Sequence, residues 1–171
     1  MTLRRKPALR LSSKGAKFIA REEGLRTAPY NDPVGFATIG VGHLLHRSRV
    51  TAADKLRWAK FKRSDAYALL QNDAERYARP LREHAARNHW NLTQAQFDAL
   101  LSFTFNVGPG WLHDSTLERV LTGSARHGVK PLPNSVAKAL AMWDVAGGRH
   151  LPGLRARRGR EARLFNSGRY G

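Results

Sequence analysis

Two carboxylates and a hydroxyl lie close together in the sequence, within the stretch from Glu22 to His46. Glu23 ends a segment with the apolar spacing of a helix, Asp32 follows nine positions later, and Thr38 comes six positions after that. Cleavage of a glycosidic bond needs a carboxylic acid to protonate the leaving oxygen and a second, ionised carboxylate. These residue types at this spacing therefore indicate glycosidase chemistry.

Each of the three residues also has an ordinary structural interpretation. Glu23 is expected where a helix ends against apolar neighbours, an environment that favours the protonated form of a carboxyl group. Asp32 is expected in a solvated turn, where it stays ionised, and Thr38 is expected to hold a water beside it. A lone helix glutamate or turn aspartate is commonplace, so only their combination with the glycine-rich run Thr38–His43 favours catalysis.

The composition is that of one folded domain with a large positive charge. The chain has 171 residues, 42% of them hydrophobic, which suits a single domain or two small lobes that share a core. Its 30 Lys and Arg against 13 Asp and Glu give a formal net charge of +17. This charge favours polyanionic partners, whether nucleic acid, anionic lipid or an acidic wall polymer.

Other classes are excluded by what the sequence lacks. It contains no cysteine, so disulfides and thiolate metal sites are excluded. It has no apolar run of the roughly 18 residues that a membrane span needs. The basic start has no apolar core of a signal peptide, so we expect no ordinary secretory signal.

The elements that must position the three residues are a helix and a small sheet. Ser12 or Ser13 is the predicted N-cap of the first helix, which Gly24 ends. Prolines and glycines then divide residues 25–46 into short pieces that are typical of a tight antiparallel sheet.

The rest of the chain shows helical periodicity and helix-end signals. The first predicted helix follows Thr51, and the second is capped by Ser64 and ends near Pro80. The next two begin with capping boxes: Thr93–Gln96 opens a helix closed by Gly108, and Ser115–Glu118 opens one that ends at Gly123. The last two run from Val136 to Val145, capped by Asn134 or Ser135 and closed by Gly147–Gly148, and from Leu154 to Phe165.

This layout predicts an α+β chain that is mostly helical, with a single domain over residues 1–171. We expect a basic, poorly ordered arm over 1–11 and a lobe with the N-terminal helix and antiparallel sheet over 12–63. A connecting helix over 64–80 and a larger helical lobe over 81–171 follow. A cleft between two lobes is the usual place for a ligand.

The region around the three residues resembles the active-site region of the phage-type lysozymes, the endolysins of tailed bacteriophages. The family pattern is Glu-Gly, then Asp after Tyr in the next turn, then Thr-Ile-Gly-x-Gly-His. The matching residues are Glu23-Gly24, Tyr30-Asn31-Asp32 and Thr38 to His43; supporting matches are Gln96 to Leu100, Phe105 to Gly108, Ser115 to Leu117, and Gly153-Leu154 with Arg157, Arg158 and Glu161.

The resemblance implies a two-lobed, lysozyme-like fold and a peptidoglycan substrate, cut at the β-1,4 bond between N-acetylmuramic acid and N-acetylglucosamine. Glu23 would be the general acid, Asp32 the base or an electrostatic stabiliser, and Thr38 the residue that orients the water. The family is taken to invert, which requires about 6.5–9.5 Å between the carboxyl groups. No metal or cofactor is implied.

Roles are also expected for residues outside the three predicted catalytic positions. The resemblance implies substrate contacts at Leu44, Phe105, Asn106 and Ser115, although Phe105 also suits the core. His43 is predicted to pair with Asp73 on the connecting helix and to tie the sheet to it; the alternative is a solvent-facing histidine. The four tryptophans are expected to be core or half-buried.

The arginines between 149 and 163 have two interpretations. They form either a solvated cationic helix face, steadied by Glu161 near Arg157 and Arg158, or a set from which one of Arg155 to Arg158 pairs with Glu23.

The resemblance also implies a cellular context. We expect accumulation in the host cytoplasm, release through a membrane lesion made by a holin, and action on the cell wall or periplasm. The net charge is expected to draw a monomer to the anionic bacterial envelope. The alternatives are a lytic transglycosylase, a catalytically inactive lysozyme-like module, and a basic nucleic-acid-binding domain, for which no recognition motif is present.

Overall fold

The computed structural model describes residues 8–171, and this part of the chain is mostly helical with small antiparallel sheets, as the α+β prediction required. The helices are α1 Ser13–Glu23, α2 Ala52–Arg57, α3 Arg63–Arg87, α4 Gln94–Val107, α5 Thr116–Arg126, α6 Pro133–Ala141 and α7 Pro152–Ser167, with a short 3-10 helix over Pro109–Leu112. The strands are β1 Arg26–Asn31, β2 Ala37–Gly40, β3 His43–His46, β4 Val145–Ala146 and β5 Arg149–His150.

The described chain divides into two compact units within α3. Ser13–Glu75 forms the sheet unit, and residues 8–12 together with Arg76–Gly171 form the helical unit. No helix of the described residues is both long enough and apolar enough to cross a membrane.

The sheet unit is built around β2, the central strand of three. β1 and β3 pair with it on either side, both antiparallel, and Thr38 lies opposite Tyr30 on one side and Leu44 on the other. All four residues of β2 are buried, whereas β1 and β3 are partly exposed edge strands. α1 contributes the buried side chains of Phe18 and Ile19 to this unit.

The prediction that the helix after Ser64 ends near Pro80 is wrong, since α3 begins at Arg63 and continues to Arg87. A proline in a helix interior removes a hydrogen bond and costs about 3 kcal/mol. The buried stripe continues past it, however, with Leu81 fully buried and Ala85 nearly so. Burial of this apolar face offsets the cost of the proline.

α4 is the most deeply buried helix of the helical unit, and it packs against α7. The predicted capping box at its start is confirmed, because the Thr93 hydroxyl accepts from the Gln96 N–H and the Gln96 side chain accepts from the Thr93 N–H. Its predicted end at Gly108 is also confirmed; Gly108 has a φ of 79°, a conformation that favours glycine.

The predicted capping box and the predicted end of α5 both differ from the structure, although Ser115 is the N-cap as predicted. The Ser115 hydroxyl caps α5 by accepting from the Glu118 N–H at 3.0 Å. The Glu118 carboxylate instead accepts from the Thr122 hydroxyl at 2.7 Å, so the motif acts as a cap without the reciprocal bond. α5 also runs beyond Gly123 to Arg126.

The predicted helix from Val136 to Val145 is shorter and begins earlier. α6 starts with Pro133 at its first helical position, where the missing N–H is tolerated, so Asn134 and Ser135 lie inside the helix and do not cap it. Gly147 and Gly148, with φ values of 56° and 74°, form the two-residue turn of the β4–β5 hairpin.

The predicted N-terminal arm is only partly covered by the structure. Its residues 1–7 lie outside the described residues. Leu11 is buried, the Gln94 amide donates to the Arg10 carbonyl at 2.8 Å, and the Arg82 guanidinium donates to the Leu9 carbonyl at 3.3 Å. Residues 8–11 are therefore packed on the helical unit, contrary to the expectation of poor order.

The interpretation of the last helix as a solvated cationic face is wrong at Arg157 and Arg158, which are 5% and 1% exposed. Both pair with the fully buried Glu161, at 3.1 and 2.6 Å, and the Ser102 hydroxyl donates to the same carboxylate at 2.8 Å. Burial raises the pKa of Glu161, and the guanidiniums of Arg158 and Arg157 oppose that rise. The Arg158 guanidinium also lies over the Phe103 ring, 4.8 Å from its centroid.

Candidate active site

The three predicted catalytic residues lie on consecutive elements of the sheet unit. Glu23 is the last residue of α1, Asp32 follows β1 directly, and Thr38 is the second residue of β2. Gly24, with a φ of 81°, turns the chain from α1 into β1. The turn after Asp32 then brings the chain back as β2.

Asp32 is held by the turn that it opens. Its Oδ1 atom accepts from the Val34 N–H at 3.0 Å and from the Phe36 N–H at 2.8 Å. Its main chain closes the same turn, since Gly35 N–H donates to the Asp32 carbonyl at 2.9 Å. Backbone donors on one carboxylate oxygen fix the orientation of the other.

Thr38 is buried on the central strand, 3% exposed. Its hydroxyl donates to the Phe36 carbonyl at 3.1 Å. Because the hydroxyl hydrogen is used in that bond, the oxygen presents its lone pairs and can accept a hydrogen bond from a water. The role predicted for Thr38, orientation of a water, requires an oxygen that can accept in this way.

Glu23 is exposed, so the apolar surroundings expected for it are not present in the structure. The charge of Glu23 affects the neighbouring Tyr30. Burial raises the pKa of the Tyr30 phenol, the Arg26 guanidinium opposes this rise, and the negative charges of Asp32 and Glu23 add to it. Both carboxylates are thus within electrostatic reach of one phenol.

Tyr30 neighbours all three predicted catalytic residues, and the sequence analysis assigned it no role of its own. Its backbone pairs with Thr38 in the sheet register, and the Arg26 guanidinium lies over its ring, 4.6 Å from the centroid. The available signal was its place two residues before Asp32 in the matched motif.

The predicted pair between His43 and Asp73 is present. The His43 Nδ1 atom lies 2.8 Å from Asp73 Oδ2, and the two side chains are 30% and 24% exposed. His43 begins β3 and Asp73 lies on α3, so the pair ties the sheet to the helix as predicted.

The predicted substrate-binding residues divide between the units. Leu44 is exposed on β3 of the sheet unit. In the helical unit, Phe105 is half-buried and packs on Tyr77 with 5.2 Å between ring centroids. Asn106 is exposed, and its amide oxygen accepts a hydrogen bond from Arg158. Ser115 is the N-cap of α5, so its hydroxyl has a structural role there.

Trp90 and Trp111 are buried, and Trp58 and Trp143 are half-buried, as expected from the sequence. Within residues 8–171, no three His, Asp or Glu side chains converge in a way that could hold a metal ion.

The sequence of this chain matches a known protein family over most of its length. Residues 20–161 match the sequence model of the phage lysozymes. The chain belongs to the phage lysozyme family. This match contains all three predicted catalytic residues as well as His43 and Asp73.

Individual members agree with this assignment. This chain is 32% identical to the endolysin of Salmonella phage P22 over 161 residues, which cover 93% of this chain and 99% of the relative. It is 31% identical to the endolysin of Bacillus phage B103, but spans 55% of that longer protein's length. Among solved structures, the muramidase domain of SpmX from Asticaccaulis excentricus is 30% identical, with a TM-score of 0.64 over 93% of this chain and 99% of that domain.

Proposed function

We propose that this chain is an endolysin that hydrolyses peptidoglycan at the β-1,4 bond between N-acetylmuramic acid and N-acetylglucosamine. The observation that carries the proposal is the placement of Glu23, Asp32 and Thr38 at the end of α1, in the β1–β2 turn and on the central strand of one compact unit. Membership of the phage lysozyme family and the likeness to a muramidase domain support it.

In the proposed reaction, Glu23 is the general acid. Its carboxyl proton passes to the glycosidic oxygen while the bond between that oxygen and the anomeric carbon of N-acetylmuramic acid breaks. Because Glu23 is exposed, solvent can reprotonate it after each turnover.

Asp32 and Thr38 act on the water. The Thr38 oxygen accepts a hydrogen bond from the water, and the Asp32 carboxylate takes the water's proton as its oxygen bonds to the anomeric carbon. The two backbone N–H groups on Asp32 Oδ1 fix the orientation of the carboxylate, whose other oxygen takes the proton. Attack from the face opposite the leaving oxygen inverts the anomeric configuration, whereas retention would make Asp32 a nucleophile or an electrostatic stabiliser.

The test is digestion of purified peptidoglycan in oxygen-18 water, followed by mass spectrometry. Hydrolysis gives reducing N-acetylmuramic acid ends that carry one heavy oxygen. A lytic transglycosylase gives anhydro-muramic ends without it, and a folded protein that releases no fragment is a binding module. NMR of the first product separates the stereochemistry, because an inverting enzyme releases the α-anomer.

We infer a cellular setting from the same family membership. The enzyme acts on the cell wall as a monomer, after accumulation in the host cytoplasm and release through a lesion made by a holin. The net charge of +17 supports attraction to the anionic envelope.

A further inference from the structure

A concavity of about 620 Å³ lies beside Asp32 in the sheet unit. The β1–β2 turn lines one side, and the segment after β3 that carries Arg47, Ser48 and Arg49 lines the other. The reaction proposed above uses only Asp32 from this group, so it leaves both arginines without a role.

The segment that carries the two arginines is held in place on both sides. The Ala37 N–H donates to the Ser48 carbonyl at 2.8 Å, and the Val50 N–H donates to the Asn31 side-chain oxygen at 2.8 Å. These bonds connect the segment to β2 and β1, the strands that flank the Asp32 turn. The backbone of both arginines is therefore fixed before any ligand binds.

Arg47 and Arg49 are both exposed. Within residues 8–171, neither forms an ion pair with a carboxylate. Asp54, the acidic residue nearest to them in sequence, accepts from the Thr51 N–H and hydroxyl at 2.7 Å each. Two cationic side chains on a fixed segment thus border the concavity that Asp32 also lines, and neither forms an ion pair with a carboxylate of the described residues.

We propose that Arg47 and Arg49 form a subsite for the carboxylate groups of the peptide stems of peptidoglycan. A guanidinium pairs with a carboxylate through two parallel hydrogen bonds, which suits recognition of acidic peptides. The stem is attached to the N-acetylmuramic acid residue whose bond is cut. In the proposed subsite, the stem of a glycan strand bound at Asp32 extends into the concavity that Asp32 lines. This inference rests on the proposed function.

The test compares two sets of soluble glycan oligomers, one with intact peptide stems and one from which an amidase has removed them. The variant is the double substitution Arg47→Gln/Arg49→Gln. The matched control is Arg126→Gln/Arg163→Gln, which removes two exposed arginines of the helical unit and leaves the same net charge. Circular dichroism checks that all proteins are folded.

On stem-bearing oligomers, we expect kcat/KM of the variant to fall about 30-fold, mainly through a higher KM. At 1.36 kcal/mol for each tenfold change, this loss corresponds to about 2 kcal/mol. On stem-free oligomers the variant should match the wild type, and the control should change less than about threefold on both sets.

The outcomes are separable. An equal loss on both substrates, or no loss on the stem-bearing one, overturns the subsite. A folded wild type that releases no reducing ends from either set overturns the proposed function instead. The oligomers carry no phosphate polymer and no lipid, so a loss confined to the stem-bearing set assigns the ligand to peptide carboxylates.

Discussion

Two substitutions at Asp32 separate its hydrogen bonds from its charge. Its Oδ1 atom accepts two backbone N–H groups, from Val34 and Phe36, and so closes the β1–β2 turn. In Asp32→Asn the amide oxygen can accept the same two bonds, so the turn is kept and only the charge and the base are lost. In Asp32→Ala all of these are lost.

The expected magnitudes follow from those two bonds. A net contribution of about 0.5–1.5 kcal/mol per hydrogen bond means that Asp32→Ala lowers the free energy of unfolding by about 1–3 kcal/mol. At about 2–4 °C per kcal/mol for a chain of this size, the midpoint of thermal unfolding falls by roughly 2–12 °C. Asp32→Asn should change the free energy by less than about 0.5 kcal/mol, yet both variants should lose at least about 100-fold in turnover, since a positioned base contributes about 10²–10⁴-fold.

Turnover is measured as reducing ends released from purified peptidoglycan, and stability as urea and thermal unfolding followed by circular dichroism. If Asp32→Asn keeps turnover within about threefold of wild type, Asp32 is a turn former and the assignment as base is refuted. If Asp32→Asn unfolds as readily as Asp32→Ala, the two backbone bonds are not what holds the turn.

Three further predictions concern contacts around the site and the helices. Hydrogen bonds from the Thr51 side chain, then from the Thr51 main chain and from His46, lower the pKa of Asp54 from 3.8 to about 2. The ionised Asp54 carboxylate therefore stabilises the fold above pH 3.8, and this contribution is lost as the pH falls from 3.8 through about 2. The difference in urea midpoint between wild type and Asp54→Asn should shrink over the same range. Ser115→Ala should lower the free energy of unfolding by about 1 kcal/mol through loss of the α5 cap, and Ser115→Asn should restore it; equal stability of all three proteins would contradict the cap. Asp73→Asn should cost about 1 kcal/mol or less, and the cost should diminish in high salt; a cost independent of salt would show that charge is not what the pair with His43 contributes.

The sheet unit was largely predictable because its signals are local. Gly24 ends α1, and Asp32 starts a turn with its own side chain, so each boundary depends on residues a few positions apart. The same holds for the Thr93–Gln96 capping box. The pair between His43 and Asp73, 30 residues apart, was predictable only from the family resemblance.

The boundaries that were wrong depend on information that a short window does not contain. Pro80 is tolerated inside α3 because buried side chains such as Leu81 continue the apolar face beyond it. The pair Gly147–Gly148 suits a helix end and a hairpin turn equally well, since both need positive φ. Only pairing of the flanking β4 and β5 distinguishes them.

Burial of charge was likewise not predictable from composition. Arg157 and Arg158 belong to an arginine-rich segment that suggests a solvated surface. Their burial depends on Glu161 at helical spacing and on Ser102, which reaches the same carboxylate from α4, 59 residues away. The spacing was visible in the sequence, but the packing of α7 against α4 was not.

The assignment of Glu23 as the general acid is tested most directly by Glu23→Gln, with the neighbouring Glu22→Gln as the matched control. Both substitutions remove one carboxylate from the last turn of α1, and reducing ends released from purified peptidoglycan are the measurement. We predict that Glu23→Gln loses at least about 100-fold in rate, while Glu22→Gln stays within about threefold of wild type. A folded Glu23→Gln variant that releases reducing ends at the wild-type rate would contradict the assignment.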